Sequence, residues 1–178
     1  MLLRCARATL RHFVTTGDRR PIAPEPVTPA LMRRGGVFVT LHQRGQLRGC
    51  VGNPQGSEPL AAAVAELTLS AALDDPRFSP LTAGDGDGTD IEIEISVLSP
   101  LKRIHARESF RLHEHGVHME SGPHRSVFLP QVTRDRGWEA EQFWDALARK
   151  SGLTASVYED PATRLYVFRA QVMSQTTG

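Results

Sequence analysis

The run DIEIEISVL, residues 90–98, is the feature that most constrains the fold of this chain. Its apolar residues alternate strictly with polar ones: Ile91, Ile93, Ile95 and Val97. Alternation with a period of two is typical of a strand with one face on a core, and such strands belong to antiparallel sheets. We therefore predict an antiparallel sheet whose polar face includes Glu92 and Glu94.

A β-hairpin is predicted earlier in the chain. Residues 37–41, VFVTL, have the β-branched and aromatic character of a strand, and Arg44-Gly45 provides a turn. The second strand, QLRGCV, covers residues 46–51. If this hairpin joins the sheet of residues 90–98, the acidic face of that strand shares a surface with the side chains of LRGC.

Alternation assigns Arg48 and Cys50 to the same face of the second hairpin strand, and Leu47 and Val51 to the opposite one. A guanidinium beside a thiol favours the thiolate, which is the form that acts as a nucleophile or metal ligand. The alternative is that Cys50 is a buried apolar residue.

Glycines flank this cysteine on both sides. Glycine inside a strand usually marks a bulge or a close approach of another backbone or a ligand. Gly49 and Gly52 are therefore candidate binding positions. In the simpler alternative, Gly49 only makes room for a packed helix.

Helices are predicted from about Leu3 to Val14, from Leu60 to Ala71, with Ser57 as N-cap, and from about Ala140 to Lys150. The proline-rich residues 17–29 form a long connection. Further strands are predicted at 126–129 and 165–172, with a turn at 130–131. The expected core residues of the C-terminal half are Trp138, Phe143, Trp144 and Leu147.

Two loops follow the second predicted helix. Residues 74–81, DDPRFSPL, form a proline-bounded loop of a kind that often lines sites, which makes Arg77 and Phe78 candidate ligand contacts. The next loop, GDGDGTD at 84–90, is reminiscent of a calcium loop. It has Thr89 and Asp90 where an EF-hand starting at Asp85 needs Asp or Asn and then Gly, so we interpret it as a flexible turn.

Five histidines lie between residues 105 and 124: His105, His113, His115, His118 and His124. No cysteine or paired acid joins them in a zinc spacing, so a histidine-rich surface is favoured over a metal site.

Composition narrows the class of protein. The 21 basic and 20 acidic residues nearly cancel, which argues against nucleic acid as the main partner, and no aromatic stacking platform accompanies the arginines of residues 33–48. No apolar run reaches the length of a membrane span, so a cytoplasmic protein is expected. The arginine-bearing N-terminus would also suit a mitochondrial transit peptide, but its apolar spacing favours a first helix. Cys5 and Cys50 are expected to be free thiols.

Four ordered motifs resemble those of the AMMECR-type domain family, also called AmmeMemoRadiSam system protein A. They are GVFVTLHQRGQLRGCVG at 36–52, DPRFSPLT at 75–82, IEIEISVLSPLKRI at 91–104, and FLPQV followed by GW at 128–138. The resemblance covers nearly the whole chain, residues 1–178, as a single domain. One departure is Ser79, where the family commonly has a second proline.

The resemblance implies an α+β fold. A larger lobe would join both chain ends around an antiparallel sheet with flanking helices, and a smaller lobe would pack beside it. The family's activity is unsettled, and its microbial members are named for association with a Memo-like protein and a radical S-adenosylmethionine enzyme. No cofactor of this chain follows from the resemblance.

Two functions remain open from the sequence. In the first, Cys50 is a reactive thiol that acts on a small molecule or on an intermediate from a partner, with His42, Glu92 or Glu94 as the base. In the second, the chain is a non-catalytic adaptor or metabolite-binding module, and LRGC serves for tight packing. The first predicts that Arg48, Cys50, Arg77 and one of the two acids meet in a cleft between the lobes.

Overall fold

The structure is a computed structural model, and it describes residues 1–23, 26, 28–84 and 88–175. The predicted turn at 84–90 and the predicted connection at 17–29 fall partly outside the described residues. The chain divides into two compact units. The first unit comprises Met1–Val97 together with the residues from Gln171 onward, and the second comprises Leu98–Ala170.

The described residues form helices and strands in the following order. The first part contains α1 (Leu2–Thr16), α2 (Pro29–Met32), β1 (Val37–Gln43), β2 (Gln46–Asn53), α3 (Leu60–Leu73) and β3 (Ile91–Leu98). The second part contains β4 (Lys102–Ile104), β5 (Gly116–Ser121), β6 (His124–Phe128), α4 (Gln131–Arg136), α5 (Ala140–Lys150), β7 (Arg164–Phe168) and β8 (Ala170–Gln175). Two 3-10 helices are Arg107–Ser109 and Ala155–Glu159.

The sheet of the first unit has the strand order β2-β1-β3-β8, and β1 is antiparallel to both of its neighbours. The predicted hairpin is present. Its turn, Arg44-Gly45, has positive φ at both residues, 53° and 74°, as a type I′ turn requires. The strand predicted from the alternation at 90–98 is also present as β3.

The core of the first unit lies between this sheet and two helices. Val37, Val39 and Leu41 of β1 are buried, as are the alternate isoleucines of β3. Helix α3 contacts α1 as well as β1 and β2, so that it is buried on most of its circumference. Its small alanine side chains allow the sheet to approach its backbone closely.

A β-bulge interrupts the alternation of β2. Thr40 pairs with Cys50 and Leu41 with Gly49, but His42 pairs with Leu47, which leaves Arg48 as the extra residue. Leu47 therefore shares a face with His42 and Cys50, and it is 41% exposed. The sequence predicts Leu47 on the face of Val51, opposite Cys50. This prediction is wrong, because the inserted residue moves the side chains that precede it in β2 to the other face of the sheet.

The second unit contains a sheet of order β4-β7-β5-β6. Its core includes Phe110, Phe143 and Trp144, with the rings of Phe110 and Phe143 stacked at 4.7 Å. Phe143, Trp144 and Leu147 are buried as predicted, whereas Trp138 is only partly buried against this cluster.

Several predicted elements in the C-terminal half are corrected by the structure. The single strand predicted at 165–172 is two strands, β7 and β8, which belong to different sheets. The predicted turn at 130–131 is the start of helix α4. Ser57 does not cap α3, because the helix begins after Pro59. Strands β4 and β5 were not predicted, but the α+β class is confirmed.

Candidate functional site

The backbone of Cys50 lies at the free edge of the first sheet. Its N–H donates to Oδ2 of Asp75 at 2.8 Å, and its carbonyl accepts from Nη2 of Arg77 at 3.2 Å. An N–H and a C=O of one residue that both point away from the sheet normally pair with another strand. Here a carboxylate and a guanidinium take the place of that strand, so the loop after α3 closes the sheet edge at Cys50.

Asp75 and Arg77 form a compact ion pair. Oδ1 of Asp75 accepts from the backbone N–H and from Nε of Arg77, at 3.2 and 2.9 Å, while Oδ2 accepts from Nη2 at 2.6 Å. Asp75 is 5% exposed. The hydrogen bonds from the Arg77 side chain, helped by the Cys50 N–H, outweigh burial and lower the pKa of Asp75 to about 2.

Gly49 marks a close approach between β2 and α3. A Cβ atom at this position would overlap the carbonyl oxygen of Ala71, which belongs to the helix backbone. At Gly52 a Cβ would instead meet the ring of Phe38, its cross-strand partner. Both glycines are therefore required by packing in the first unit, whether or not a ligand also uses them.

The thiol of Cys50 lies on the sheet face opposite α3. Because its backbone groups bond Asp75 and Arg77, Cys50 and Thr40 form a non-hydrogen-bonded pair, the kind in which side chains approach most closely. The Thr40 hydroxyl donates to Sγ at 3.4 Å. Cys50 is partly buried, whereas Cys5 is 2% exposed and its thiol donates to the carbonyl of Ile22 at 3.0 Å. Burial raises the pKa of Cys5.

The register of β3 separates the three candidate bases. Glu94 pairs with Thr40, on the side away from Cys50, so that Cys50, Thr40 and Glu94 form one row across three strands. Glu92 pairs with His42 in the next row, which reaches Leu47 on β2. Glu94 is therefore the acid whose strand position is nearest to the thiol.

The structure brings Arg77 together with two other candidate residues. Arg77 contacts the Cys50 backbone, and its guanidinium lies 5.4 Å from the ring centre of Phe78. Arg48 is the extra residue of the bulge and is half-buried. It forms no hydrogen bond or ion pair with the residues that the structure describes.

Asp75 is the site residue that sequence reasoning did not select. It lies in the loop from which Arg77 and Phe78 were chosen, and a signal was present. Aspartate directly after a helix and two residues before an N–H donor is typical of an Asx turn, in which the side chain binds the local backbone. The same carboxylate is then placed to bind the guanidinium of Arg77.

The five histidines of residues 105–124 do not form one cluster, although His105 and His115 line the same pocket. His113 bonds the hydroxyl of Thr133, and His124 donates through Nδ1 to the carbonyl of Ser151. His118 is buried next to Glu120. Across the described part of the chain, no group of three or more His, Cys, Asp or Glu side chains is placed to hold a metal ion.

Known proteins with a similar sequence or structure identify the family of this chain. A protein from Methanothermobacter thermautotrophicus is 36% identical, over 98% of this chain and 92% of its own length. Protein MK0488 of Methanopyrus kandleri is 35% identical, over 98% of this chain and 86% of its own. The crystal structure of an uncharacterised protein, PH0010 of Pyrococcus horikoshii, matches with a TM-score of 0.88 and 30% identity, covering 98% of this chain and 89% of that one.

These relatives are archaeal proteins, and the match to the solved structure places the chain in the same two-sheet α+β class. The AMMECR1 family model matches residues 3–173. The chain therefore belongs to the AMMECR1 family, as the four motifs indicate. No helix among the described residues is long and apolar enough to cross a membrane.

Proposed function

We propose that this protein is a thiol-dependent component of a larger system, in which Cys50 reacts with a small molecule or with an intermediate delivered by a partner. The observation that carries this proposal is the hydrogen bond from Thr40 to Sγ of the partly exposed Cys50. A hydroxyl that donates to sulfur stabilises the thiolate, which is the nucleophilic form.

The row of three strands suggests Glu94 as the base. In this proposal the carboxylate of Glu94 takes up the thiol proton through water, while the Thr40 hydroxyl keeps its hydrogen bond to the sulfur. The thiolate then displaces a leaving group from an electrophilic centre, and Glu94 returns the proton to that leaving group. Arg77 holds the backbone of Cys50 in place through its carbonyl. Phe78, beside Arg77, provides an apolar contact for the ligand.

The proposed partners rest on the family resemblance, and the proposed location rests on the sequence expectation of a cytoplasmic protein. We propose that the thiol works with a Memo-like protein and a radical S-adenosylmethionine enzyme, in the cytoplasm. No step of the proposal requires a cofactor held by this chain itself.

Competitive alkylation tests the proposal directly. The folded protein is treated with a limiting amount of iodoacetamide, and labelling of the two cysteine peptides is followed by mass spectrometry. Cys50 should be labelled at least about tenfold faster than Cys5, because Cys5 is buried and its pKa is raised. Equal labelling, or faster labelling of Cys5, would contradict the proposal.

Two variants separate a poised thiol from one that is only accessible. Thr40→Val removes the hydroxyl and keeps the shape of the side chain, and Glu94→Gln removes the charge. Thr40→Val should slow Cys50 labelling by roughly threefold to tenfold, for the loss of one hydrogen bond to the sulfur. Glu94→Gln should not slow it, because alkylation needs no base and a nearby negative charge disfavours the thiolate. Glu92→Gln, in the neighbouring row, is the matched control and should leave the rate unchanged.

A second function, the non-catalytic adaptor or metabolite-binding module, is favoured by a different observation. Asp75 and Arg77 form an ion pair with each other, and each also hydrogen-bonds the backbone of Cys50 at the edge of β2. Their charges therefore stabilise the edge of the sheet. Purification with the candidate partners distinguishes the two functions. A mass adduct on Cys50 supports the thiol proposal, whereas a partner complex that forms equally well with Cys50→Ser and carries no adduct supports the adaptor.

A further inference from the structure

The second unit contains an open pocket of about 300 Å³ that is separate from the Cys50 row. Its apolar lining includes Ile104 of β4 and Val167 of β7, two core residues of neighbouring strands. Val167 pairs with Lys102, two residues before Ile104. The pocket lies along β4, the edge strand of its sheet, and extends to the 3-10 helix Arg107–Ser109. A volume of this size is at the lower end of small-ligand sites.

The polar lining of this pocket is entirely basic or neutral. The residues of the lining that carry polar side chains are Lys102, Arg103, His105, Ser109 and His115. No residue with a carboxylate is among those that line it. This contrasts with the chain as a whole, in which acidic and basic residues nearly cancel. The positive charges of Lys102 and Arg103 produce a local field that attracts anions.

One imidazole of the lining is fixed in its orientation. Nδ1 of His115 accepts a hydrogen bond from the backbone N–H of Arg111 at 3.1 Å, so the neutral ring carries its proton on Nε2. Burial, followed by the positive charge of Arg169, lowers the pKa of His115; the charge of Glu114 opposes this, and Arg111 and Lys102 add smaller lowering contributions. His115 is therefore a neutral ring that offers an N–H donor at neutral pH.

We propose that this pocket binds the phosphate group of a small phosphorylated molecule. A phosphate has three terminal oxygens and carries close to two negative charges, so it can use more of the converging donors than a carboxylate can. Lys102 and Arg103 supply the charge, and His115 and Ser109 supply neutral donors. The apolar lining of Ile104 and Val167 accommodates the organic part of the ligand.

Titration with inorganic phosphate tests the proposal on the full chain. The ring protons of His105 and His115 are followed by NMR at constant pH and ionic strength, with sodium chloride replaced stepwise by sodium phosphate. Both rings should shift in a saturable manner. If they do not shift, or if the shifts are linear without saturation, the proposal is wrong.

Charge-removing variants locate the binding. Lys102→Gln with Arg103→Gln should weaken phosphate binding at least about tenfold, since both charges that attract the anion are removed. The matched control is Arg19→Gln with Arg20→Gln, which removes the same charge from exposed positions of the first unit. Equal weakening in both variants would show only a general charge effect and would overturn the proposal.

His105→Gln provides a second test that does not depend on the double variant. His105 is exposed, so its substitution leaves the core of the unit intact. It should weaken phosphate binding by a smaller factor, and the His115 ring should still report saturation.

A last arm replaces phosphate by a single-stranded RNA oligonucleotide at equal phosphate concentration. RNA could bind more tightly than phosphate, with the pocket variant and the control variant losing the same amount of RNA affinity. In that case the surface is a general nucleic-acid interface and the proposal fails. These tests do not involve Cys50, so their outcome is independent of the thiol proposal.

Discussion

Two buried titratable side chains, one in each unit, are accommodated in opposite ways. Asp75 remains charged because its two oxygens accept hydrogen bonds from four N–H groups. His118 is 2% exposed, and burial lowers its pKa, so it remains neutral. Its Nε2 is 3.8 Å from Glu120, and its Nδ1 has no hydrogen-bond partner among the described residues.

The difference shows what decides the ionisation state of a buried group. Burial disfavours the charged form of both side chains, and hydrogen bonds to that form or a nearby opposite charge can offset the effect. At Asp75 these bonds come from the adjacent loop and from a strand edge, so the carboxylate joins two segments of the first unit. At His118 the neighbouring carboxylate is too distant for a direct hydrogen bond.

The largest expected effect comes from a substitution that pushes β2 away from α3. The hydrogen bonds between Asp75 and the edge of β2 depend on the close contact of these two elements. Gly49→Ala places a methyl group on the carbonyl oxygen of Ala71, a backbone atom that cannot move by rotamer change. We expect a loss of roughly 3 kcal/mol in the free energy of unfolding, measured by urea denaturation.

Gly52→Ala is the matched control for this prediction, because it adds the same atom to the same strand. It meets the ring of Phe38, a side chain that can rotate away, so the loss should be roughly 1 kcal/mol. Equal losses at the two glycines would show that the close approach to the helix is not the cause.

The second prediction concerns the charge of Asp75 itself. Asp75→Asn replaces an acceptor oxygen by an amide group whose hydrogens face N–H donors. We expect a loss of about 2 kcal/mol in the free energy of unfolding. Asp74→Asn, the adjacent and exposed acid 3.8 Å from Arg19, should cost less than about 0.5 kcal/mol. A similar loss in both variants would exclude a special role for the buried pair.

The sequence predicts the part of this arrangement that local patterns encode. Alternation identified β3, and the β-branched run with Arg44-Gly45 identified the hairpin, because both depend on residues close in the chain. The bulge at Arg48 has one local signal, the neighbouring Gly49, which is equally compatible with a close approach of the helix. The position of the inserted residue is defined only by the pairing of β2 with β1, and strict alternation from Arg48 to Cys50 does not allow for it.

Non-local pairing also explains the remaining errors. Residues 165–172 form a continuous apolar-rich run, but the chain leaves one sheet at Phe168 and joins another at Ala170. In β5, His118 and Glu120 are buried polar residues. Buried polar residues are uncommon, and the surrounding histidines drew attention to metal binding rather than to a strand.

The third prediction uses acid to compare the two groups. The pKa of Asp75 is lowered in the folded state to about 2, so its contribution is complete above the ordinary value near pH 4 and is lost as the pH falls towards about 2. The full contribution is about 2 kcal/mol. Urea denaturation at several pH values should show this loss in the native sequence and a smaller one in Asp75→Asn. Parallel pH dependences in the two proteins would contradict it.

The smallest effect is expected at His118, and in a different pH range. A histidine whose pKa is lowered by folding contributes fully above its ordinary value near pH 6.5, and this stability is lost as the pH falls below that value, because the unfolded chain takes up the proton first. His118→Phe removes the titration and keeps a ring beside Tyr166, with which His118 stacks at 5.9 Å.

At neutral pH this substitution should change the free energy of unfolding by less than about 1 kcal/mol, since it also removes a buried nitrogen without a partner in the described structure. Between about pH 6.5 and 5, the variant should lose less stability than the native protein. Part of this pH dependence of stability should remain in the variant, because the pKa of His115 is lowered as well. If His118→Phe strongly destabilised the neutral protein, His118 would be held by a specific hydrogen bond, and the contrast with Asp75 would disappear.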